Sequence, residues 1–393
     1  MTVDGDNGLT VDHWDVVVLG CGGMGSATLY HLAERGFRVC GIDPFKPGHD
    51  KGSSHGETRI IRKAYLEHPN YVPLLNRAYT LWDRLTEESG RDLFVRCGLL
   101  AMGDRDSHVI QGQSLCYAAC DLPHEVLDED EVRQRYPDLG IGRDWGAYYD
   151  PLGGFLRVEE CVRQHAEGAL ERGATLYAGE SMRRWSVDGT GVRIETDRRT
   201  LLADRIVLTL GPWAVAQLNL LGVKARVVRK VLFWYNGAGI QSYELGSLPC
   251  YLVGPGKGED TFYGFPSIDS RGIKVAEHNI YLNDRVDDPR AVNRALAVND
   301  EPIIRRFVAD FFPRLKARRT QHTVCMYTMT PDKHFVVDVH PEHPQVIVAA
   351  GFSGHGFKFA SVIGEVLSDL ALEGKTKQPI DFLRLHRFYG GTN

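Results

Sequence analysis

Hydrophobic positions recur along this chain with two different periods, and the changes between them mark its parts. Asp15 to Leu19 (DVVVL) is a short β-branched run, after which Ala27, Leu29, Tyr30 and Leu32 follow helical spacing until Gly36. Phe37 to Ile42 returns to a strand pattern and ends at Asp43. Tyr71 to Leu85 and Arg157 to Arg172 are expected as helices, the second closed by Gly173. Leu93 to Met102, Ala174 to Tyr177, Val192 to Thr196 and Asp204 to Leu210 are expected as strands, and Ala225 to Ile280 reads as strands and turns of an antiparallel sheet. Gln345 to Ala350 is again a strand, followed by a glycine-rich turn at Gly351 to Gly356. A helix then begins at Lys358, with Val362, Ile363, Val366, Leu367 and Leu370 on one face and Gly374 at its end.

The first strand runs straight into Gly20-Cys21-Gly22-Gly23-Met24-Gly25, and strand, glycines, helix, strand and acid in that order make a dinucleotide-binding βαβ unit. Gly20 is suited to the tight turn, Gly22 to the approach of a pyrophosphate, and Gly25 to close packing of helix on strand. Free N–H groups and the macrodipole at the helix start favour the phosphates. Asp43, about twenty residues on, can accept both hydroxyl groups of an adenosine ribose. The unit alone does not separate FAD from NAD. With α/β blocks at both ends and β-rich sequence between them, the chain is expected to be α/β. Its Rossmann-like nucleotide domain is discontinuous (15–90, 150–215 and 325–388), and a substrate domain built on an antiparallel β-sheet is inserted (91–149 and 216–324). Residues 1–14 are expected as a disordered leader.

Composition narrows the function classes. The 393 residues are 43% hydrophobic and 25% charged, the balance of a globular protein, and the formal net charge of -5 offers no pull toward nucleic acid or an anionic membrane. No apolar stretch reaches membrane-spanning length, the start is polar and acidic rather than signal-like, and Gly391-Thr392-Asn393 is not a peroxisomal address; a cytoplasmic location is expected. The eight cysteines lack paired zinc or dithiol spacings and read as reduced thiols. His340-Pro341-Glu342-His343-Pro344 is expected as a turn, and no metal is expected.

Four tracts resemble the monomeric sarcosine oxidase family, which includes N-methyltryptophan oxidase and pipecolate oxidase within the D-amino-acid-oxidase-like FAD fold. They are Gly52 to Arg62 (GSSHGETRIIR), Tyr263 to Ser267, Cys325 to Thr328, and Gly351 to Phe359 (GFSGHGFKF), and the likeness runs from Trp14 to Phe388. The resemblance implies FAD, joined by a thioether from Cys325 to the 8α-carbon of the flavin. It implies that Arg62 and Lys358 bind the substrate carboxylate, a planar donor fork beside a point charge. Lys274 is similar to the lysine that activates oxygen, where a fixed cation stabilises developing superoxide. His278, Tyr263, Tyr327 and Thr58 match further active-site positions, His55 and Arg59 lie near the flavin edge, and Ser53, Gly354 and Gly356 belong to the cofactor-binding tracts.

The implied reaction is oxidation of a small secondary-amine amino acid, such as sarcosine or another N-methyl amino acid. The substrate gives the equivalent of a hydride to flavin N5 and leaves as an imine, and oxygen is reduced to hydrogen peroxide. No side chain among these is an obvious strong base. Alternatives are cyclic or larger amines (L-pipecolate, N-methyltryptophan, fructosyl amino acids), an FAD dehydrogenase with another electron acceptor, or a non-catalytic flavin-binding protein. The partners implied are a small amine and molecular oxygen, and the family expectation is a monomer.

Overall fold

The computed structural model describes residues 2–4, 10–65, 67–257, 260–279 and 285–389, with side chains from Asp12 onward. Val16 to Leu19, Ile206 to Leu208 and Val346 to Ala350 are apolar without alternation, a pattern stable only where a strand is covered on both faces. They form the parallel centre of the first sheet. Thr175–Ala178, Val39–Asp43, Thr10–Leu19 and Thr200–Leu208 lie side by side in that order, all parallel. Thr200–Leu208 divides its far edge. Its last three residues pair in parallel with Val346–Ala350, and its first four with the antiparallel hairpin Met182–Asp188 and Gly191–Thr196.

Helix Gly23–Glu34 packs against both Val158–Glu171 and Ala360–Glu373 on one face of this sheet. Leu29, Leu32, Val362, Ile363, Val366 and Leu367 are fully buried there in one core with Val16 and Val18. Each such side chain contributes about 1.5–3 kcal/mol relative to leaving it in water, so the amphipathic face holds these helices far more firmly than backbone propensity does.

The second sheet runs in the order Arg285–Val286, Arg226–Asn236, Ile273–Glu277, Phe262–Phe265, Cys250–Gly254, Leu99–Gly103, Gly146–Asp150 and Glu125–Leu127. It is antiparallel except where Cys250–Gly254 meets Leu99–Gly103. A small sheet joins Thr58–Ile61, Gly154–Arg157 and Phe94–Val95. The turn expected at His340–Pro344 does link the antiparallel strands Val336–Val339 and Val346–Ala350.

Several boundaries differ from expectation. Arg318–Met329 pairs along its length with Arg226–Asn236, so Cys325, expected at the start of a nucleotide-domain segment, stands in a strand of the second sheet. The expected leader holds two strands: Thr2–Asp4 pairs with the start of Thr10–Leu19, whose alternating first residues extend a buried strand. Leu93 to Met102 is two strands in two sheets. Gly98 breaks it, at a φ of +77° and with a space where a Cβ would lie 2.4 Å from the Tyr149 hydroxyl. Helices at His108–Ala119, Glu129–Arg135 and Pro302–Phe311 were not anticipated. The second carries a capping box between Asp128 and Glu131, and the third buries Ile304, Phe307, Val308 and Phe311 on one face.

Candidate active site

A cavity of about 1670 Å³ runs between the two large sheets. At one end lie Gly20, Gly22, Gly23, Met24 and Asp43. Gly20 turns at a φ of +89°, and a Cβ on Gly25 would fall 1.8 Å from the Gly20 carbonyl oxygen, whereas a Cβ on Gly22 would find only Ser54 Oγ, at 3.8 Å. The backbone is therefore closed at Gly20 and Gly25 and open at Gly22. Asp43 Oδ2 accepts from Cys21 N at 2.7 Å and its Oδ1 from Phe45 N at 2.8 Å, which fixes the carboxylate at the strand end. Burial pushes its pKa up, against those two N–H donors.

At the other end Arg62, Lys358, Tyr263, His278 and Tyr327 line the same cavity. Ser53, Arg59, Gly354 and Gly356 line it between and beside them. The hydroxyls of Tyr263 and Tyr327 are 3.4 Å apart, and the His278 ring lies against both. Burial lowers the His278 pKa to about 4 and raises those of both tyrosines, so all three are neutral at ordinary pH. Lys358, buried and facing Arg62, is pushed down to about 7.

Thr58, His55, Lys274 and Cys325 do not line the cavity, and form a layer behind it. Lys274 Nζ lies within hydrogen-bonding distance of Gly56 O at 2.5 Å, Thr58 O at 2.9 Å and Thr58 Oγ1 at 3.1 Å. It sits 4.7 Å from the Phe265 ring centroid, and burial followed by Arg59 holds its pKa well below the usual lysine range. Cys325 Sγ accepts from Arg59 Nη2 at 3.4 Å and lies 3.5 Å from Ser53 O, directly behind two residues that do line the cavity. His55 Nε2 is buried without a hydrogen-bond partner, and burial with Arg59 lowers the ring's pKa to about 3.

A family model described as FAD dependent oxidoreductase matches residues 15–370. The chain belongs to that family. The monomeric sarcosine oxidase of Streptomyces avermitilis is 40% identical over 371 residues, 93% of this chain and 96% of that protein. The N-methyl-L-tryptophan oxidase of Yersinia pestis is 32% identical, over 95% of this chain and 99% of that one. Among solved structures, an unusual amino acid oxidase essential for nikkomycin biosynthesis, in an open form, matches with a TM-score of 0.83 at 25% identity, covering 95% of this chain and 97% of its own.

As a member of the FAD dependent oxidoreductase family, the protein has residues that fit the cofactor. The long cavity has a ribose-suited carboxylate and an open glycine cradle at one end and a cationic, aromatic chamber at the other. Ser54 Oγ also accepts from Gly23 N at 3.1 Å, which ties the cradle to the Gly52–Arg62 tract.

Sequence reasoning missed Glu67. It lines the chamber and accepts from Arg62 Nη2 at 2.9 Å. Burial works to raise its pKa, but Arg62, then His355 and Lys358, hold the carboxyl well below the usual range. The tract Arg62 to Glu67 carried the signal, an Arg and a Glu five positions apart beside the substrate end, yet spacing in an irregular segment does not show that the two meet. Trp213, which lines the cavity after the Gly211-Pro212 turn with its ring 6.2 Å from that of Phe45, was also not singled out.

Proposed function

We propose that this FAD-dependent oxidoreductase oxidises a small secondary-amine amino acid, sarcosine or another N-methyl amino acid, at its CH–NH bond. The observation that carries the reading is the chamber in which Arg62 and Lys358 stand beside neutral aromatic groups, with the Glu67 carboxyl there held well below the usual range by Arg62. Bound FAD supplies a two-electron acceptor that oxygen can reoxidise, with hydrogen peroxide as product. Arg62 and Lys358 take the substrate carboxylate and so aim its Cα–H toward the ring end of the cavity. The same cations, with Arg59, disfavour a further positive charge, so the substrate amine is held unprotonated and a general base is not needed. His278, Tyr263 and Tyr327 exclude water around the Cα while remaining neutral. Imine released from the site hydrolyses in water.

The position of Cys325, directly behind Ser53 and Arg59, which line the cavity, supports a thioether to the flavin. Lys274 supplies a cation near the ring when protonated, which supports oxygen as the acceptor. The eight free thiols fit a reducing cytoplasm.

The test is an anaerobic panel of sarcosine, N-methyl-L-tryptophan and L-pipecolate, read as bleaching of the flavin absorbance, followed by peroxide release on admitting air. Bleaching by one of them with stoichiometric peroxide is expected; a flavin that no member reduces would sink the reading. Acid precipitation should leave the yellow colour in the pellet for the parent protein and in the supernatant for Cys325→Ala.

A further inference from the structure

We propose that Tyr65 is a positioning residue of this site: its ring is the common seat of the Arg62 guanidinium and the Lys358 ammonium, and holds the two as one clamp for a ligand carboxylate. The inference rests on the reading of the chamber as a carboxylate site. Two like charges buried together repel each other, and something must hold both in register. The Arg62 guanidinium carbon lies 4.6 Å and Lys358 Nζ 5.0 Å from the centroid of the Tyr65 ring, whose π face attracts cations most where water is excluded. Arg62 and Lys358 are 4% and 7% exposed and Tyr65 is fully buried, so this contact is desolvated.

The ring is itself locked. Tyr65 Oη lies 2.5 Å from His355 Nδ1, and His355 Nε2 lies 3.0 Å from the Lys333 carbonyl. A nitrogen facing a carbonyl carries the proton, so Nδ1 is the acceptor and the tyrosine hydroxyl donates. Burial keeps the imidazole neutral, with its pKa lowered to about 3, and keeps the phenol protonated. The main-chain N–H of Tyr65 donates to Cys116 Sγ at 3.1 Å. The His355 carbonyl closes the arrangement, accepting from Lys358 Nζ at 3.0 Å with Tyr65 Oη 3.2 Å away. A shift of Tyr65 therefore displaces both cations, while Tyr65 does not itself line the cavity.

The groups facing Lys358 are Arg62, Arg59 and Glu67, with Tyr65, His355 and His278 neutral around them. Its pKa near 7 makes it the group that titrates in the neutral range. Carboxylate binding needs the charged ammonium, and falls as pH rises through that value.

The experiment titrates the FAD-loaded protein with acetate, followed by perturbation of the flavin absorbance, from mildly acid to mildly alkaline pH. Tyr65→Leu should weaken acetate roughly tenfold at mildly acid pH. It should also move the midpoint of the pH profile downward, because the ammonium loses the face that favours its charge. Tyr65→Phe keeps the ring and should stay within about threefold of the parent. Should Tyr65→Leu fail to hold flavin, Tyr65→Met, which fills the space without a π face, makes the same comparison, and a roughly tenfold loss in Tyr65→Phe would overturn the assignment by placing the work in the hydroxyl. Parent affinity with an unmoved midpoint in the Leu or Met variant overturns the role of Tyr65 alone. A parent protein that binds no acetate at any pH overturns the carboxylate reading and this assignment with it.

Discussion

Glu67 faces the cations that a substrate carboxylate would need. Its bond to Arg62 Nη2, at 2.9 Å, is charge-assisted, and such a bond contributes about 1.5–3 kcal/mol. A ligand carboxylate that takes Arg62 must displace it. Glu67→Gln is therefore expected to tighten acetate by about tenfold at mildly acid pH, read from the same flavin perturbation. Glu67 also raises the pKa of Lys358 toward its value of about 7, so removing its charge lowers that pKa. The sign follows: in the variant, binding should be tighter below neutrality and should fall away at a lower pH than in the parent. Weaker acetate binding across the range would show that Glu67 orients the clamp rather than competing for it. Arg62 and Lys358 could be named from their tracts, but the meeting of Tyr65 with His355 spans 290 positions and no local pattern encodes it.

The βαβ unit at the start is legible because each part is dictated by near neighbours: β-branched residues extend the strand, glycines turn it, and the apolar stripe buries the helix. The geometry separates two glycines that a motif treats alike. A Cβ on Gly25 would lie 1.8 Å from the Gly20 carbonyl oxygen, a main-chain atom that cannot yield without moving the strand. Gly25→Ala should thus lower the thermal midpoint and the yield of folded protein. Gly22→Ala meets only Ser54 Oγ at 3.8 Å, so circular dichroism should be unchanged while, in a Cys325→Ala background that lets the flavin dissociate, FAD retention falls about tenfold to a hundredfold, because the new methyl fills the cradle. Parent-like flavin content in Gly22→Ala would count against a phosphate there. Elements that went unseen carried local signals too: the capping box at Asp128 and Glu131 announces a helix, and Gly98 announces a break.

Across the whole molecule the cavity takes its lining from both large sheets, Gly20 and Asp43 from the first and Tyr263, Met326 and Tyr327 from the second. A cofactor that fills it links them. Calorimetry of Cys325→Ala apoprotein, in which the cofactor binds reversibly, with FAD at about a hundredfold excess over its dissociation constant should show some 2.7 kcal/mol of added stability, with both sheets melting in one later transition. Movement of only one of two transitions would argue against a bridging cofactor. The chain's sequence by itself determined the α/β blocks, the β-rich insert and membership of an FAD-dependent family, because those follow from periods of two or 3.6 residues and from contiguous tracts. Only the tertiary structure decided that the strand bearing Cys325 belongs to the second sheet, that Lys274 Nζ is held by Gly56 and Thr58, and that Arg62 already has a carboxylate partner. Those pairings depend on sheet register and on which charges are buried together, and both are set by chain segments far apart in sequence.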